Sequence, residues 1–237
     1  MKASFVGDIH GDYRYINRLQ PKTIQLGDFD LRGYSVWGNI FTEDEEKKIE
    51  IENFNILAGK RYFIDGNHDF FPALNPDSEE PYEVESNLIH IPRGFVSKKT
   101  MFIGGADCVP HDRAMRTEGI DWYPEEAITQ IQYNRICDTE KEIEVIISHD
   151  CPQFVVNELV LTRAKYNGYP SGNMLYSLPS NKAFDGIFDN FKPSLWIFAH
   201  HHFSFDKIVR GCRFICLNIG EVRTIDIPLD DHFFDKY

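Results

Sequence analysis

Lys60-Arg61-Tyr62-Phe63-Ile64-Asp65-Gly66-Asn67-His68-Asp69 passes directly from an apolar stretch into a cluster of amide, imidazole and carboxylate groups. Aromatic and β-branched residues at Tyr62 to Ile64 read as a buried strand, and the polar cluster falls just beyond it. The arrangement recurs along the chain. Phe5-Val6 leads to Asp8-Ile9-His10, Ile24-Gln25-Leu26 to Gly27-Asp28, Val145-Ile146-Ile147 to Ser148-His149-Asp150, and Leu195-Trp196-Ile197-Phe198 to Ala199-His200-His201-His202. Polar groups placed this way emerge together at the carboxyl ends of strands, where open α/β sheets bind ligands. Two carboxylates, several imidazoles and an amide meeting at one place suit two divalent cations and metal-assisted phosphoester hydrolysis.

The order of elements predicts an α/β fold. Strands at residues 2 to 7, 23 to 26 and 60 to 64 alternate with helices at Tyr13 to Leu19 and Glu43 to Leu57. Leu88 to Ile91, Phe95 to Ser97 and Thr100 to Ile103 look like a meander, and Pro124 is placed to start a helix over residues 125 to 136. Strands at Ile143 to Ile147 and Leu195 to Phe198 follow, with helical patches near Val155 to Leu161 and Lys182 to Asn190. Three strands near Phe205 to Val209, Arg213 to Asn218 and Val222 to Ile227 end the chain. Alternation followed by consecutive strands suggests two mixed sheets face to face with helices outside.

The chain has 237 residues with 42% hydrophobic and 26% charged, and no linker or repeat period, so a single domain over residues 1–237 is expected. No apolar run has the length of a membrane span, and Met1-Lys2-Ala3-Ser4-Phe5 enters a strand without a signal-peptide pattern. A soluble, cytoplasmic protein is expected. Cys108, Cys137, Cys151, Cys212 and Cys216 are odd in number and form no CxxC pair, so neither a disulfide framework nor a zinc knuckle is indicated. The net charge of −12 repels long polyanions and argues against stable duplex DNA binding. Two divalent ions among Asp8, Asp28, a hydroxide and neutral histidines would nevertheless carry about +1, which attracts a small phosphoester or nucleotide.

The clusters divide the chemistry among named residues. Period-two alternation in an extended segment places Asp8 and His10 on one side, and likewise His200 and His202, with His201 pointing elsewhere. Asp8, His10 and His202 make one metal set, and Asn67, His149 and His200 the other. Asp28 is shared, and Gly27 lets the backbone bend close to the site. A hydroxide held between ions roughly 3.5 to 4 Å apart is a strong nucleophile at neutral pH. His68 is left as proton donor to the leaving oxygen, with Asp69 beside it to orient the ring. Asp150 reads as a cap for the following helix, and His90, His111, His201 and His232 as ordinary surface or core histidines.

Gly7-Asp8-Ile9-His10-Gly11, Gly27-Asp28, Gly66-Asn67-His68-Asp69, His149 and His200-His201-His202, in this order, resemble the calcineurin-like metallophosphoesterase superfamily. The resemblance spans residues 8 to 202. It implies a four-layer αββα sandwich of two mixed β-sheets flanked by helices, and a dinuclear centre with the ligand division given above. It also implies a catalytic histidine at His68 and manganese as the metal, with iron, zinc or nickel as alternatives. The first and third motifs are similar to those of the protein-phosphatase branch, and Ser148-His149-Asp150-Cys151-Pro152 to the HDxP form of small bacterial and phage phosphoesterases. Where that branch has GDxxDRG, Gly27 to Gly33 carries Leu31 at the second aspartate and keeps Arg32, a candidate for substrate phosphate. Ala199 replaces the usual glycine before the last histidine pair. Gly104-Gly105-Ala106-Asp107 through Trp122-Tyr123-Pro124 resembles a segment of phage-type relatives. In that loop Arg113 or Arg116 is expected toward phosphate and Trp122 toward a base or ring.

The expected activity is hydrolysis of a phosphomonoester or phosphodiester. A nuclease on short single strands is the alternative within the enzyme class, and a catalytically weak metal-binding scaffold on the same fold the alternative outside it. Retention of His68 together with the full ligand set favours the enzyme.

Overall fold

The computed structural model of the chain describes residues 1–12, 22–30, 59–85, 87–167 and 176–237. Two six-stranded mixed sheets dominate it. The first contains β1 (Lys2–Val6), β2 (Thr23–Gln25), β3 (Arg61–Phe63), β4 (Tyr82–Glu85), β5 (Leu88–His90) and β12 (Val222–Asp226), in the order β12-β1-β2-β3-β5-β4. The second contains β6 (Phe95–Ser97), β7 (Thr100–Ile103), β8 (Val145–Ser148), β9 (Leu195–Phe198), β10 (Phe205–Val209) and β11 (Cys212–Cys216), in the order β10-β11-β9-β8-β7-β6. In both, the four inner strands run parallel and the two outer strands antiparallel.

Burial on both faces explains the unbroken apolar runs read in the sequence, since a parallel strand covered on two sides has no polar face to alternate. Ile147, Ile197 and Ile215 point inward against Phe5, Ile24 and Tyr62 of the first sheet. Ile146, Trp196 and Phe214 point outward and pack with Val155, Leu159, Phe184 and Phe188. Those last four come from the helices Gln153–Asn167 and Pro179–Phe191, which cover the second sheet's outer face. Each such aliphatic or aromatic side chain removed from water contributes about 1.5–3 kcal/mol. The chain is thus an α/β sandwich of two mixed sheets with flanking helices. The helices expected at Tyr13 to Leu19 and Glu43 to Leu57 lie outside the described residues. Among the described residues, no helix is long and apolar enough to cross a membrane.

Some local expectations need correction. The three segments read as one meander divide between the sheets, because β5 pairs parallel with β3 while β6 and β7 form an antiparallel pair in the other sheet. Pro92, with no N–H to donate, stands at the crossing. Pro124 begins a 3-10 turn, Pro124–Glu126, and the helix that follows is Gln130–Cys137. Thr129 starts that helix by accepting from the Gln132 amide while the Gln132 side chain accepts from the Thr129 N–H, a reciprocal cap that a proline cannot supply.

Candidate metal centre

Because β1, β2 and β3 are parallel neighbours, and β8 and β9 likewise, the five polar clusters leave the sandwich at its carboxyl edges. Hydrogen bonds then join the two sheets across the site. His149 Nδ1, after β8, lies 2.6 Å from the Leu26 carbonyl beyond β2, and the His200 N–H, beyond β9, donates to Asp8 Oδ1 at 3.2 Å. Gly66 permits the closest approach. A Cβ there would lie 2.2 Å from Asp28 Oδ1 and 2.7 Å from His149 Nε2.

The structure brings all seven expected donor residues together. Donor atoms of Asp8, His10, Asp28 and His202 lie within 4.8 Å of one another, as do those of Asp28, His149 and His200. Asn67 Oδ1 lies 3.3 Å from His149 Nε2, so it joins the second group, and Asp28 is common to both. The backbone route differs from the extended alternation read in the sequence. His10, Asp28, His200 and His202 all have positive φ, between 46° and 63°, and so lie past the strand ends in the left-handed region. Such residues cost about 1–3 kcal/mol each and persist where surrounding contacts hold them, a pattern that clusters at functional sites.

The donor atoms face one another in a way that suits cations. His149 Nδ1 donates to the Leu26 carbonyl, which turns the Nε2 lone pair toward Asp28 Oδ1 and Asn67 Oδ1, each 3.3 Å away. His10 Nε2 and His202 Nε2 are 2.9 Å apart. Asp8 Oδ2 is fully buried and receives no well-formed hydrogen bond, although His202 Nε2 lies 3.1 Å away. Acceptors converging in a dry site repel unless a proton or a metal ion lies between them. With protons alone, burial works against a charged His149 ring, but Asp28 and Asp8 outweigh it and push the ring up to about 10. Burial also opposes ionisation of Asp28, yet the charged His149 ring, its strongest favourable neighbour, holds its carboxyl well below the usual range. His200 is lowered to about 4, chiefly by burial. The residue set therefore fits two divalent cations, one on each group.

His68 stands beside the centre, its ring centroid 4.9 Å from that of His10 and its backbone N–H donating to Asp28 Oδ1 at 2.8 Å. Burial, and with it the Arg116 guanidinium, lowers the ring well below the usual imidazole range against the opposing pull of Asp28. The expectation that Asp69 orients this ring is corrected. Asp69 Oδ2 accepts from the Gly66 N–H at 2.7 Å and the Asp28 N–H at 3.1 Å, and Oδ1 from the Asp30 N–H at 2.8 Å. Three backbone donors engage the carboxylate, and its work is to tie the loop after β2 to the loop after β3.

Of the expected substrate contacts, Arg116 reaches the site, its Nη2 2.6 Å from His68 Nε2 and 3.0 Å from Nδ1. Arg113 and Trp122 instead pair with each other, the guanidinium carbon 3.5 Å from the ring centre, and do not line the cavity. Arg32 lies outside the described residues. A cavity of about 200 Å³ opens beside His68 and His200, with Asp107, Arg163, Tyr176 and Asn181 in its walls. Asp150 does not cap the next helix. Its carboxylate takes hydrogen bonds from the Cys151 N–H at 2.7 Å and Asn181 Nδ2 at 2.7 Å, and pairs with His201 Nε2 at 2.9 Å. His201, read in the sequence as an ordinary histidine, is thereby anchored between His200 and His202. Its position inside a three-histidine run was the available signal.

A family profile described as calcineurin-like phosphoesterase matches residues 1–204. No curated protein matches the chain by sequence. Among solved structures, the chain is similar to the phosphopantetheinyl hydrolase of Mycobacterium tuberculosis, with 13% identity, TM-score 0.48, and 98% of each chain covered. It is also similar to GAP50, the anchor in the inner membrane complex of Plasmodium, with 12% identity and TM-score 0.44 over 92% of this chain and 72% of that one. With the profile covering most of the sequence and the paired Asp and His groups at its centre, the chain belongs to the calcineurin-like phosphoesterase family and is a metallophosphoesterase, a hydrolase acting on ester bonds.

Proposed function

We propose that the protein hydrolyses phosphoester bonds in a small phosphorylated or nucleotide substrate, using two divalent cations held by Asp8, His10, Asp28 and His202 on one side and Asp28, Asn67, His149 and His200 on the other. The observation that carries this reading is the sharing of Asp28 by two donor groups at the mouth of one cavity. Bound there, a pair of cations supplies Lewis acidity, lowering the pKa of water and neutralising phosphoryl charge. Manganese is the first candidate.

The chain's own residues divide the remaining work. Asp8 and Asp28 bring two negative charges into a dry site, which favours cation uptake. The Leu26 carbonyl fixes the His149 tautomer so that Nε2 faces inward. His68, which lines the cavity, acts in its imidazolium form: it gives a ring proton to the leaving oxygen as the phosphorus–oxygen bond breaks, becomes neutral imidazole, and regains the proton from solvent. The cavity of about 200 Å³ has room for a compact substrate, and its carboxylate-lined wall disfavours a long polyanion.

Protein stripped of metal and reloaded with manganese is expected to hydrolyse an aryl phosphodiester or monoester and to lose that activity with a chelator. Equal turnover after exhaustive metal removal refutes the reading. A panel of aryl monoester, aryl diester, 2′,3′-cyclic and 3′,5′-cyclic nucleotides, dinucleoside polyphosphate and single-stranded DNA identifies the substrate class.

A further inference from the structure

Arg163 is the one arginine or lysine among the described side chains that line the cavity beside the metal centre. It comes from the helix Gln153–Asn167, two turns beyond Val156, which lines the same cavity from the same face. That helix is fixed against the second sheet through Val155, Val156 and Leu159, all buried. The turn that carries Arg163 is fixed as well. Lys207 Nζ donates to Thr162 Oγ1, and Thr162 Oγ1 donates to the Glu158 carbonyl, each at 2.7 Å.

The guanidinium carbon lies 5.9 Å from the centre of the Phe203 ring, the residue after the donor His202. It makes no hydrogen bond or ion pair with any described residue, so its N–H donors are open to whatever occupies the cavity. The opposite wall is acidic. Asp112 and Asp107 both line it, the latter accepting from the Ser180 N–H at 2.6 Å. An anion entering this cavity is attracted at two places, the metal centre and Arg163, and repelled by the carboxylates elsewhere.

We infer that Arg163 is a specificity-determining residue that receives a second phosphate group of the substrate, while the phosphate to be cleaved sits at the metal centre. The inference rests on the phosphoester-hydrolase reading for the place of the first phosphate. A guanidinium fork takes two phosphate oxygens at once and stays charged at any working pH. Asp107 and Asp112 leave no place for a third phosphate, so the substrate class is a compact diphosphate or bisphosphate and not a polynucleotide. Tyr176, 42% exposed, presents its ring in the same cavity, where a base can stack, which makes nucleotides suitable probes.

The test measures binding to manganese-loaded protein by calorimetry. AMP is the one-phosphate probe; ADP and adenosine 3′,5′-bisphosphate carry a second phosphate at near and far spacing. In wild type, at least one two-phosphate probe is expected to bind tighter than AMP by a factor on the order of 10 or more. In Arg163→Met this ratio is expected to fall to about one. Arg163→Lys, a point charge without the fork, is expected to give an intermediate ratio, and decides the matter if the Met variant does not fold. Because AMP is measured on the same preparation, the fraction of protein loaded with metal cancels from the ratio. Equal affinity for all three nucleotides in wild type, or a ratio that survives both substitutions, overturns the inference. Equal weakening of AMP and of the two-phosphate probes overturns it in favour of contact with the phosphate at the metals. A wild type that keeps the ratio but hydrolyses no ester defeats the hydrolase reading and leaves the second phosphate site standing.

Discussion

His149 and Leu26, 123 positions apart in sequence, meet at 2.6 Å across the seam between the two sheets. Through that contact the packing of the sandwich sets the chemistry of the metal centre, because the Leu26 carbonyl decides which imidazole nitrogen is free. His149→Gln keeps a polar side chain but cannot satisfy the carbonyl and present a nitrogen lone pair together. Manganese binding measured by calorimetry is expected to fall from two sites to one, with the Asp8, His10 and His202 group retained. Two full-affinity sites in the variant would contradict the assignment.

Gly66 gives a second test of the same geometry. A methyl group at this position would lie 2.2 Å from Asp28 Oδ1, 2.4 Å from the Asp28 nitrogen and 2.7 Å from His149 Nε2, closer than van der Waals contact allows. Gly66→Ala is therefore expected to push Asp28, the shared donor, away from both groups. Metal affinity should drop at both sites together, by a factor on the order of 10 to 100 as for other disturbances of ligand support. Loss at one site alone would show that Asp28 is not shared.

The Asp65–Arg93 pair links the core to the loop behind the centre, and both side chains are fully buried. Burial opposes ionisation of Asp65, but Arg93, followed by His90, outweighs it and holds the carboxyl well below the usual range. In the folded chain this group therefore binds fewer protons than in the unfolded chain. Its stabilisation is complete above about pH 4 and is lost as pH falls through the folded-state value. Arg93→Met leaves a buried carboxylate and three carbonyls without their partner, which costs about 3–5 kcal/mol. Urea unfolding at pH 7 checks the size, and the acid limb of stability should be shallower in Asp65→Asn than in wild type.

Much of the site was legible because its residues follow apolar runs. Asp8, Asp28, Asn67, His149 and His200 each stand a few residues past a strand whose burial on two faces leaves an uninterrupted hydrophobic signature. What the sequence did not disclose is what long-range contacts decide. Asp69 adjoins His68 in sequence, yet three backbone N–H groups from two loops engage it. Arg116 and Arg113 look equivalent in the chain, and packing sends one to His68 and the other onto Trp122. The meander reading failed at Pro92 for a similar reason, since local propensity marks strands without saying which sheet receives them.

His201 carries the last prediction. It sits between two donors with positive φ, and its Nε2 is pinned 2.9 Å from Asp150 Oδ1, which the Asn181 amide also binds through Oδ2. Without that anchor the left-handed residues on either side are free to relax toward extended angles and to withdraw His200 and His202 from opposite donor groups. His201→Ala is expected to weaken manganese at both sites by about 10- to 100-fold, with global stability reduced by no more than about 1–3 kcal/mol for the lost hydrogen bond. Competition against a manganese-binding dye, run beside thermal unfolding of the metal-free protein, separates the two effects. Unaltered affinity at both sites would mean that His200 and His202 hold their strained backbone without the anchor.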